Sequence, residues 1–417
     1  MPAIALTARQ FAYEILIVAL LSLPAAGGPF SDLIVFGDSL SDVGNIDQAS
    51  PSFFKFPGPY YYEGRFSNGP VYVEALATGL GLPAITHSGA GGDDFAYGGA
   101  QTAGTGGLEG LFIRDIDEQV SQFLSTRTVD PAALFLVFAG SNDLVGGETN
   151  VNVPVNQLAS DIGRLVSAGA RQFLIPNLPP LGFTPRFNGN ATTVSQYNTR
   201  SADFNMALTT VLDNLEAGNP ALEFHRLDVA NMFVQALADP GAFGLTNVTN
   251  AAAPGLQPGD SSYDTNMIAA EPNEYLFWDD LHPTAAVHAI LAERALTLLL
   301  SLAGDYNQNE IVDAADYTVW RNTVGQAGTS LAADGNGDRR VTRLDYDVWK
   351  THYGEMARPN ASLSDTFAAL TPNSDVPEPA SVLLVLIGVT AGGLSNRFTP
   401  ARRPQPAGSR CLFSALH

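Results

Sequence analysis

The sequence predicts a three-layer α/β/α sandwich on a mainly parallel sheet, followed by a small all-α module. Three observations carry this expectation. From Ser31 to about Leu302, short apolar runs alternate with amphipathic stretches, the pattern of strands covered on both faces by helices. From Asp305 a unit appears twice: "DYNQNEIVDAADYTVW" and, at Asp334, "DGNGDRRVTRLDYDVW", an offset of 29 residues that holds for Tyr317/Tyr346 and Trp320/Trp349. The chain has 417 residues, 45% of them hydrophobic, enough for a large core and two or three units.

In chain order, "DLIVFGD", "AALFLVFAGSND", "RQFLIPNLP" and "LEFHRLDV" read as strands. Between them "PVYVEALATGL", "VNQLASDIGRLVSAG" and "RSADFNMALTTVLDNLEAG" space their apolar residues by three and four, as core-facing helices do. A last helix is expected through "TAAVHAILAERALTLLLSLAG", with Gly304 as its stop signal.

Lys and Arg number 21 against 42 Asp and Glu, a formal net charge of -21. Such a balance argues against a phosphate-tracking surface, so no nucleic-acid partner is expected, although an acidic surface can hold calcium. At the N-terminus, Arg9 precedes the apolar stretch Ile15 to Leu23, and "PAAGG" offers a cleavage site, so residues 1–27 read as a secretory signal. The one cysteine, Cys411, has no partner for an internal disulfide.

The stretch "VFGDSLSDVGN" puts Ser39 just after a strand, at the carboxyl edge where open parallel sheets place ligands. A serine becomes a nucleophile only with a base, a group that orients the base, and donors for the developing oxyanion. Gly-Asp-Ser is also ordinary turn chemistry. Of six histidines, His282 in "YLFWDDLHPTAA" stands three residues after Asp279, a spacing that lets a carboxylate reach one ring nitrogen; the competing reading is a cap of the last helix. Asn142 in "FAGSNDL", at the end of the third strand, and Gly99 in "DDFAYGGAQTAG" are candidate donors, or a turn former and a loop glycine.

These blocks, with "GRFSNGPVYVEALA", "PNLPPLGFTP" and "FNMALTTVLDNL", resemble in order the SGNH hydrolases, also called the GDSL esterase/lipase family, over about residues 31–302. The resemblance implies a flavodoxin-like sandwich and a carboxylic ester hydrolase. It implies Ser39 as nucleophile, His282 as base then acid, Asp279 as its orienter, and an oxyanion hole from the Ser39 and Gly99 backbone N–H groups and the Asn142 side chain; Gly98 is the alternative to Gly99. No cofactor is implied for catalysis. Asp94 stands where the family usually has Asn, and Phe183 where it often has Cys. The G-x-S-x-G elbow of α/β-hydrolases is not met, because Ser41 occupies the second glycine position.

In residues 304–354 the repeat places oxygen donors at calcium-loop spacing: Asp305, Asn307, Asn309, Asp313 and Asp316, then Asp334, Asn336, Asp338, Thr342 and Asp345, with backbone carbonyls from Ile311 and Arg340 at position seven. The module resembles a type I dockerin, which implies structural Ca2+ and a cohesin-like partner. Residues 355–375 read as a linker. "VPEPAS", the apolar stretch Val382 to Leu394, and Arg397, Arg402 and Arg403 resemble a PEP-CTERM sorting signal over 376–403, ahead of a tail at 404–417. That likeness implies sorting machinery in the membrane and a secreted or surface location on a Gram-negative bacterium. The expected substrate is a lipid, a small acyl ester or an acetylated polysaccharide; a catalytically inactive surface scaffold using its calcium module is the other class of reading.

Overall fold

The computed structural model describes residues 29–356 apart from 52–54, 106–108, 310, 329–330 and 336–339. The signal segment, the linker beyond Met356, the sorting signal, the tail, Asn336 and Asp338 lie outside the described residues.

Four strands form a parallel sheet in the order β1 (Leu33–Gly37), β2 (Leu134–Phe138), β3 (Gln172–Pro176), β4 (Glu223–Leu227). Every residue of "LIVFG" and "LFLVF" is buried, as strands covered on both faces must be. A fifth segment completes the sheet beyond β1. Val35 donates to Asp93 O, Phe95 to Val35 O and Tyr97 to Gly37 O, and Val35 bridges Asp94 in parallel. Counted with this short edge, the order is the flavodoxin-like 2-1-3-4-5. The chain therefore leaves β1 toward one side and returns to β2 on the other. The crevice between their carboxyl ends is the switch point at which such sheets bind ligands.

The helices are α1 (Asn45–Ala49), α2 (Tyr72–Gly79), α3 (Ile116–Thr126), α4 (Ser141–Val145), α5 (Asn152–Ala168), α6 (Ala191–Gly218), α7 (Val229–Ala238) and α8 (Ala285–Leu300). Two sets pack separately: α2 with α8, and α3 with α5 and α5 with α6. Between them lies one continuous apolar core, with Phe36, Phe95, Phe123, Phe135 and Phe173 meeting stacked, edge-to-face or tilted at ring distances of 5.6–5.8 Å. Beyond α7, β5 (Asn247–Ala251) and β6 (Tyr275–Phe277) form a small parallel pair.

Three expectations are corrected. The last helix stops at Leu300, where Ser301 turns extended, so Gly304 is not its stop. Gly304 instead lies at φ +90, where an added Cβ would stand 2.8 Å from Trp349 Cα; it is needed for close approach to the repeat. The helix expected from Arg200 begins nine residues earlier, at Ala191, capped by the Asn190 side chain accepting from Thr193 N. And Asn142 sits on the first turn of α4, one step beyond the strand it was expected to end.

In the repeat, α9 (Ala314–Thr323) and α10 (Arg343–His352) follow caps at Asp313 and Thr342. Their contacts exchange symmetrically. Trp320 Nε1 donates to Thr342 O at 2.6 Å, Trp349 Nε1 to Asp313 O at 2.8 Å, and Ile311 bridges Met356 as Ala327 bridges Arg340. Tyr317, Trp320, Tyr346 and Trp349 pack ring on ring between the two helices. Among the described residues, no helix is long and apolar enough to cross a membrane.

Candidate active site

Ser39 follows β1 by one residue and is 6% exposed. The end of β1 is fixed from α3: buried Gln119 accepts from Gly37 N at 2.9 Å and donates to Gly37 O at 2.9 Å. His282 comes from the turn between β6 and α8. That turn is closed by Trp278 N donating to His282 O at 2.7 Å and Thr284 N donating to Leu276 O at 3.1 Å. Across 243 residues, His282 Nε2 meets Ser39 Oγ at 2.9 Å, and on the ring's other side Nδ1 meets Asp279 Oδ2 at 2.7 Å.

Asp279 is fully buried, and its Oδ1 accepts the backbone N–H groups of Leu281 at 2.8 Å and His282 at 2.6 Å. Burial pushes this carboxyl up, but the His282 charge and these hydrogen bonds outweigh it and hold the group below its ordinary value. For His282, burial pushes down while Asp279, then Asp280 and Asp38, push up; the net direction is up. An ionised Asp279 only accepts, so Nδ1 carries the proton and Nε2 is left bare to accept from the Ser39 hydroxyl.

The expected donors come from both sides of the switch point, Gly99 after the edge segment and Asn142 after β2. Gly99 stands at φ +82, a left-handed conformation that suits glycine, and an added Cβ would lie 2.9 Å from Ile113 Cδ1. Gly98 donates its N–H to Asp42 Oδ2 at 2.8 Å, whereas among the described residues the N–H groups of Ser39 and Gly99 make no backbone hydrogen bond. Asn142 Nδ2 donates to Ala100 O at 2.9 Å, which fixes the amide and leaves its second N–H free to point elsewhere. A cavity beside these groups is walled largely by apolar side chains, among them Leu40, Phe138, Met232 and Phe233, and is shared by Ser39, Asn142, His282 and His288. The arrangement can deprotonate a serine, receive an oxyanion and seat an apolar group.

Residues 33–295, well over half of the chain, match the sequence profile of the GDSL-like Lipase/Acylhydrolase family. The chain belongs to that family. A phosphatidylcholine-sterol acyltransferase of Aeromonas hydrophila is 29% identical over 312 residues, covering 65% of this chain and 91% of that protein. A GDSL esterase/lipase of Arabidopsis thaliana is 31% identical over 331 residues, covering 66% of this chain and 84% of that protein. Among solved structures, a lipolytic G-D-S-L family member from Veillonella parvula aligns at 14% identity with a TM-score of 0.35, over 64% of this chain and 96% of that one. This GDSL-family chain is a carboxylic ester hydrolase.

The structure brings together all five residues singled out for chemistry: Ser39, Asp279 and His282 by direct hydrogen bonds, Asn142 by the cavity it shares with Ser39 and His282, Gly99 by its loop beside β1. Much of the rest of the GDSL motif is scaffolding. Asp42 accepts from Gly44, Asn45, Ile46 and Gly98, Asp94 accepts from Val43 and Ala96, and Asn45 Nδ2 donates to the carbonyls of Asp94 and Ala96. These bonds sew the serine loop to the glycine loop. Asp94, where the GDSL family usually has Asn, thus binds the segment that leads to Gly99. Gln119 and Tyr61 were not singled out. Tyr61 belongs to the aromatic stretch "FFKFPGPYYYEGRF", whose described members Phe56, Tyr61 and Phe66 pack inside, and its hydroxyl donates to Asp279 Oδ2 at 2.7 Å.

Proposed function

We propose that this chain is an exported serine esterase that cleaves esters with an apolar acyl group through an acyl-enzyme on Ser39. The observation that carries the reading is the unbroken line of hydrogen bonds from Ser39 Oγ through the His282 ring to Asp279. His282 Nε2 takes the hydroxyl proton as Oγ bonds to the ester carbonyl carbon. The negative charge moves to the carbonyl oxygen, facing the N–H groups of Ser39 and Gly99 and the Asn142 amide. As the C–O bond breaks, Nε2 returns the proton to the departing alcohol. Water then attacks the acyl carbon, Nε2 takes its proton, and the acid leaves as Oγ is reprotonated. Because Gly98 already donates to Asp42, the reading assigns the oxyanion contact to Gly99. The largely apolar wall supports an apolar acyl group, and the secretory-signal pattern at 1–27 supports export.

The test is hydrolysis of nitrophenyl esters of increasing chain length by wild type and Ser39→Ala, with mass mapping of a serine-directed phosphonate. Loss of turnover in the variant and labelling at Ser39 are the expected results. An active Ser39→Ala protein, or label on another residue, overturns the assignment.

We further propose that the repeat binds calcium. Its first loop fits a hard cation: Asp305, Asn307 and Asn309 present side-chain oxygens, and Asp316 is fully buried while accepting from Asn307 N and Asp313 N. Among the described residues, no three His, Cys, Asp or Glu side chains gather as a metal site, so the ion would rest on mixed amide, carboxylate and carbonyl oxygens, from Ile311 and Arg340 as well. A calcium titration followed by Trp320 and Trp349 fluorescence and by melting decides this; no change in either removes the ion from the account. The cohesin-like partner and the sorting machinery rest on sequence resemblance and are tested by pull-down and by cell fractionation with and without residues 376–403.

A further inference from the structure

Among the described residues, one buried side-chain hydroxyl outside Ser39, His282 and Asp279 bonds directly to that triad. Tyr61 is 6% exposed, and its hydroxyl reaches Asp279 Oδ2 at 2.7 Å from a position 218 residues away. The same oxygen receives the His282 Nδ1 proton, so the carboxylate takes two donors on each oxygen: Tyr61 and His282 on Oδ2, the N–H groups of Leu281 and His282 on Oδ1. The phenol is held still. Its ring packs with Trp278, Ala252, Ala253 and Leu256 and tilts against Phe66 at 6.1 Å, and Phe66 in turn tilts against the His282 ring at 5.0 Å.

We propose that Tyr61 is a positioning residue for the reaction, which locks Asp279 in the orientation that faces His282 and limits the basicity that Asp279 confers on the imidazole. Resting on the triad reading above, this adds a fourth member that never touches substrate. The physics has two parts. With both lone-pair regions of Oδ2 engaged, the carboxylate cannot rotate without breaking a hydrogen bond in a buried site. A donor on that oxygen also draws negative charge away from the histidine, so His282 holds its proton less tightly than it would beside a carboxylate lacking the phenol. The other charges facing these groups are Asp280 and Asp38 toward His282, and Asp280 and Asp260 toward Tyr61; His288 on α8, held neutral, feels the His282 charge. Burial first, then the Asp279 charge, drives the phenol's ionisation far upward, so it stays a neutral hydroxyl that donates to Oδ2.

Tyr61→Phe removes one oxygen and keeps the ring. With the phenol gone, the acid limb of kcat/KM against pH should move to higher pH, and kcat should fall by about 10–100-fold as the carboxylate loosens, with KM unchanged. A purely structural tyrosine would lower the melting temperature and leave the limb where it is. Site-specific replacement of Tyr61 by a fluorinated tyrosine, whose more acidic phenol bonds more strongly in the same shape, should move the limb the opposite way. This second variant decides the matter if the phenylalanine protein does not fold. Ser39→Ala is run beside both: if it stays active, the triad reading fails, whereas an inactive Ser39→Ala with an unmoved limb in the Tyr61 variants overturns this proposal alone.

Discussion

Asp279→Asn changes one atom of the line that joins Ser39 to the buried carboxylate, and the structure dictates how the amide must sit. Oδ1 accepts two backbone N–H groups, Leu281 at 2.8 Å and His282 at 2.6 Å. Turning the amide nitrogen toward them would face donor to donor twice in a fully buried position, at roughly 1–3 kcal/mol for each orphaned group. The oxygen therefore stays there, and the NH2 takes the place of Oδ2, facing His282 Nδ1 and the Tyr61 hydroxyl, which can turn to accept from it. Nδ1 must then accept, which moves the ring proton to Nε2, the nitrogen that stands 2.9 Å from Ser39 Oγ. A protonated Nε2 cannot take the serine proton, so kcat should fall by about 10⁴ while the fold persists. The assay is steady-state hydrolysis of a nitrophenyl ester, with circular dichroism melting as the fold control. A folded Asp279→Asn protein within about tenfold of wild-type turnover would refute the tautomer argument.

Three further outcomes are expected. Catalysis needs neutral His282, whose proton affinity lies above the ordinary value of 6.5, so activity should fall on acidification from above that value; a limb centred below it in a pH–rate profile contradicts the Asp279 contact. Asn142→Ala removes one oxyanion donor and should cost about 10²–10³ in kcat with little effect on KM, read from the same assay. His288 is fully buried, and its affinity is lowered by burial, then by the His282 charge, to about 3. The unfolded chain binds a proton below 6.5 that the folded chain refuses, so stability is lost on acidification, by about 1.4 kcal/mol per pH unit in that window. Denaturant melts of His288→Leu should show a flatter acid-side dependence than wild type, and parallel curves would remove His288 as a cause.

What could be read in the sequence were the groups whose partners sit nearby or whose motif is continuous. The Asp279 to His282 step spans three residues, and the turn that forms it is local, so spacing alone conveys it. Ser39 and Asn142 each follow an apolar run of five residues that reads as a buried strand. The choice between Gly98 and Gly99 was not local: it turns on Asp42, 56 residues upstream of Gly98, accepting one N–H. Gln119 and Tyr61 act across 82 and 218 residues, and nothing in "DEQVSQ" or "PYYYEG" marks one polar atom as inward-facing. Among the elements, the edge segment 93–97 begins with two aspartates, and α6 begins with exposed polar turns, so neither shows an apolar period where it starts. Pairing with the distant β1 stabilises the edge segment, which local pattern does not record, whereas α6 starts at a local cap, Asn190 accepting from Thr193 N.

The same principle decides how the acidic chain manages its site. Asp38, Asp42, Asp94, Asp143 and Asp279 are all buried near the loops that meet at β1 and β2. Burial pushes the carboxyls of Asp38, Asp42 and Asp143 up to about 6, and that of Asp94 well above the usual range, where the neighbouring Asp42 adds to the effect. Backbone donors oppose that push in each case and do not overcome it. Asp279 accepts backbone donors too, yet of these five it alone is driven below the ordinary value: the His282 charge also lowers Asp38, but only Asp279 accepts a hydrogen bond from the ring as well. Neutral hydrogen bonds thus hold these loops in shape, while at Asp279 a directly bonded ring that can carry charge brings the carboxyl below its ordinary value. The ring on which catalysis is proposed to depend is the group that makes its own orienting carboxylate possible, so removing His282 should release Asp279 upward to join the other four.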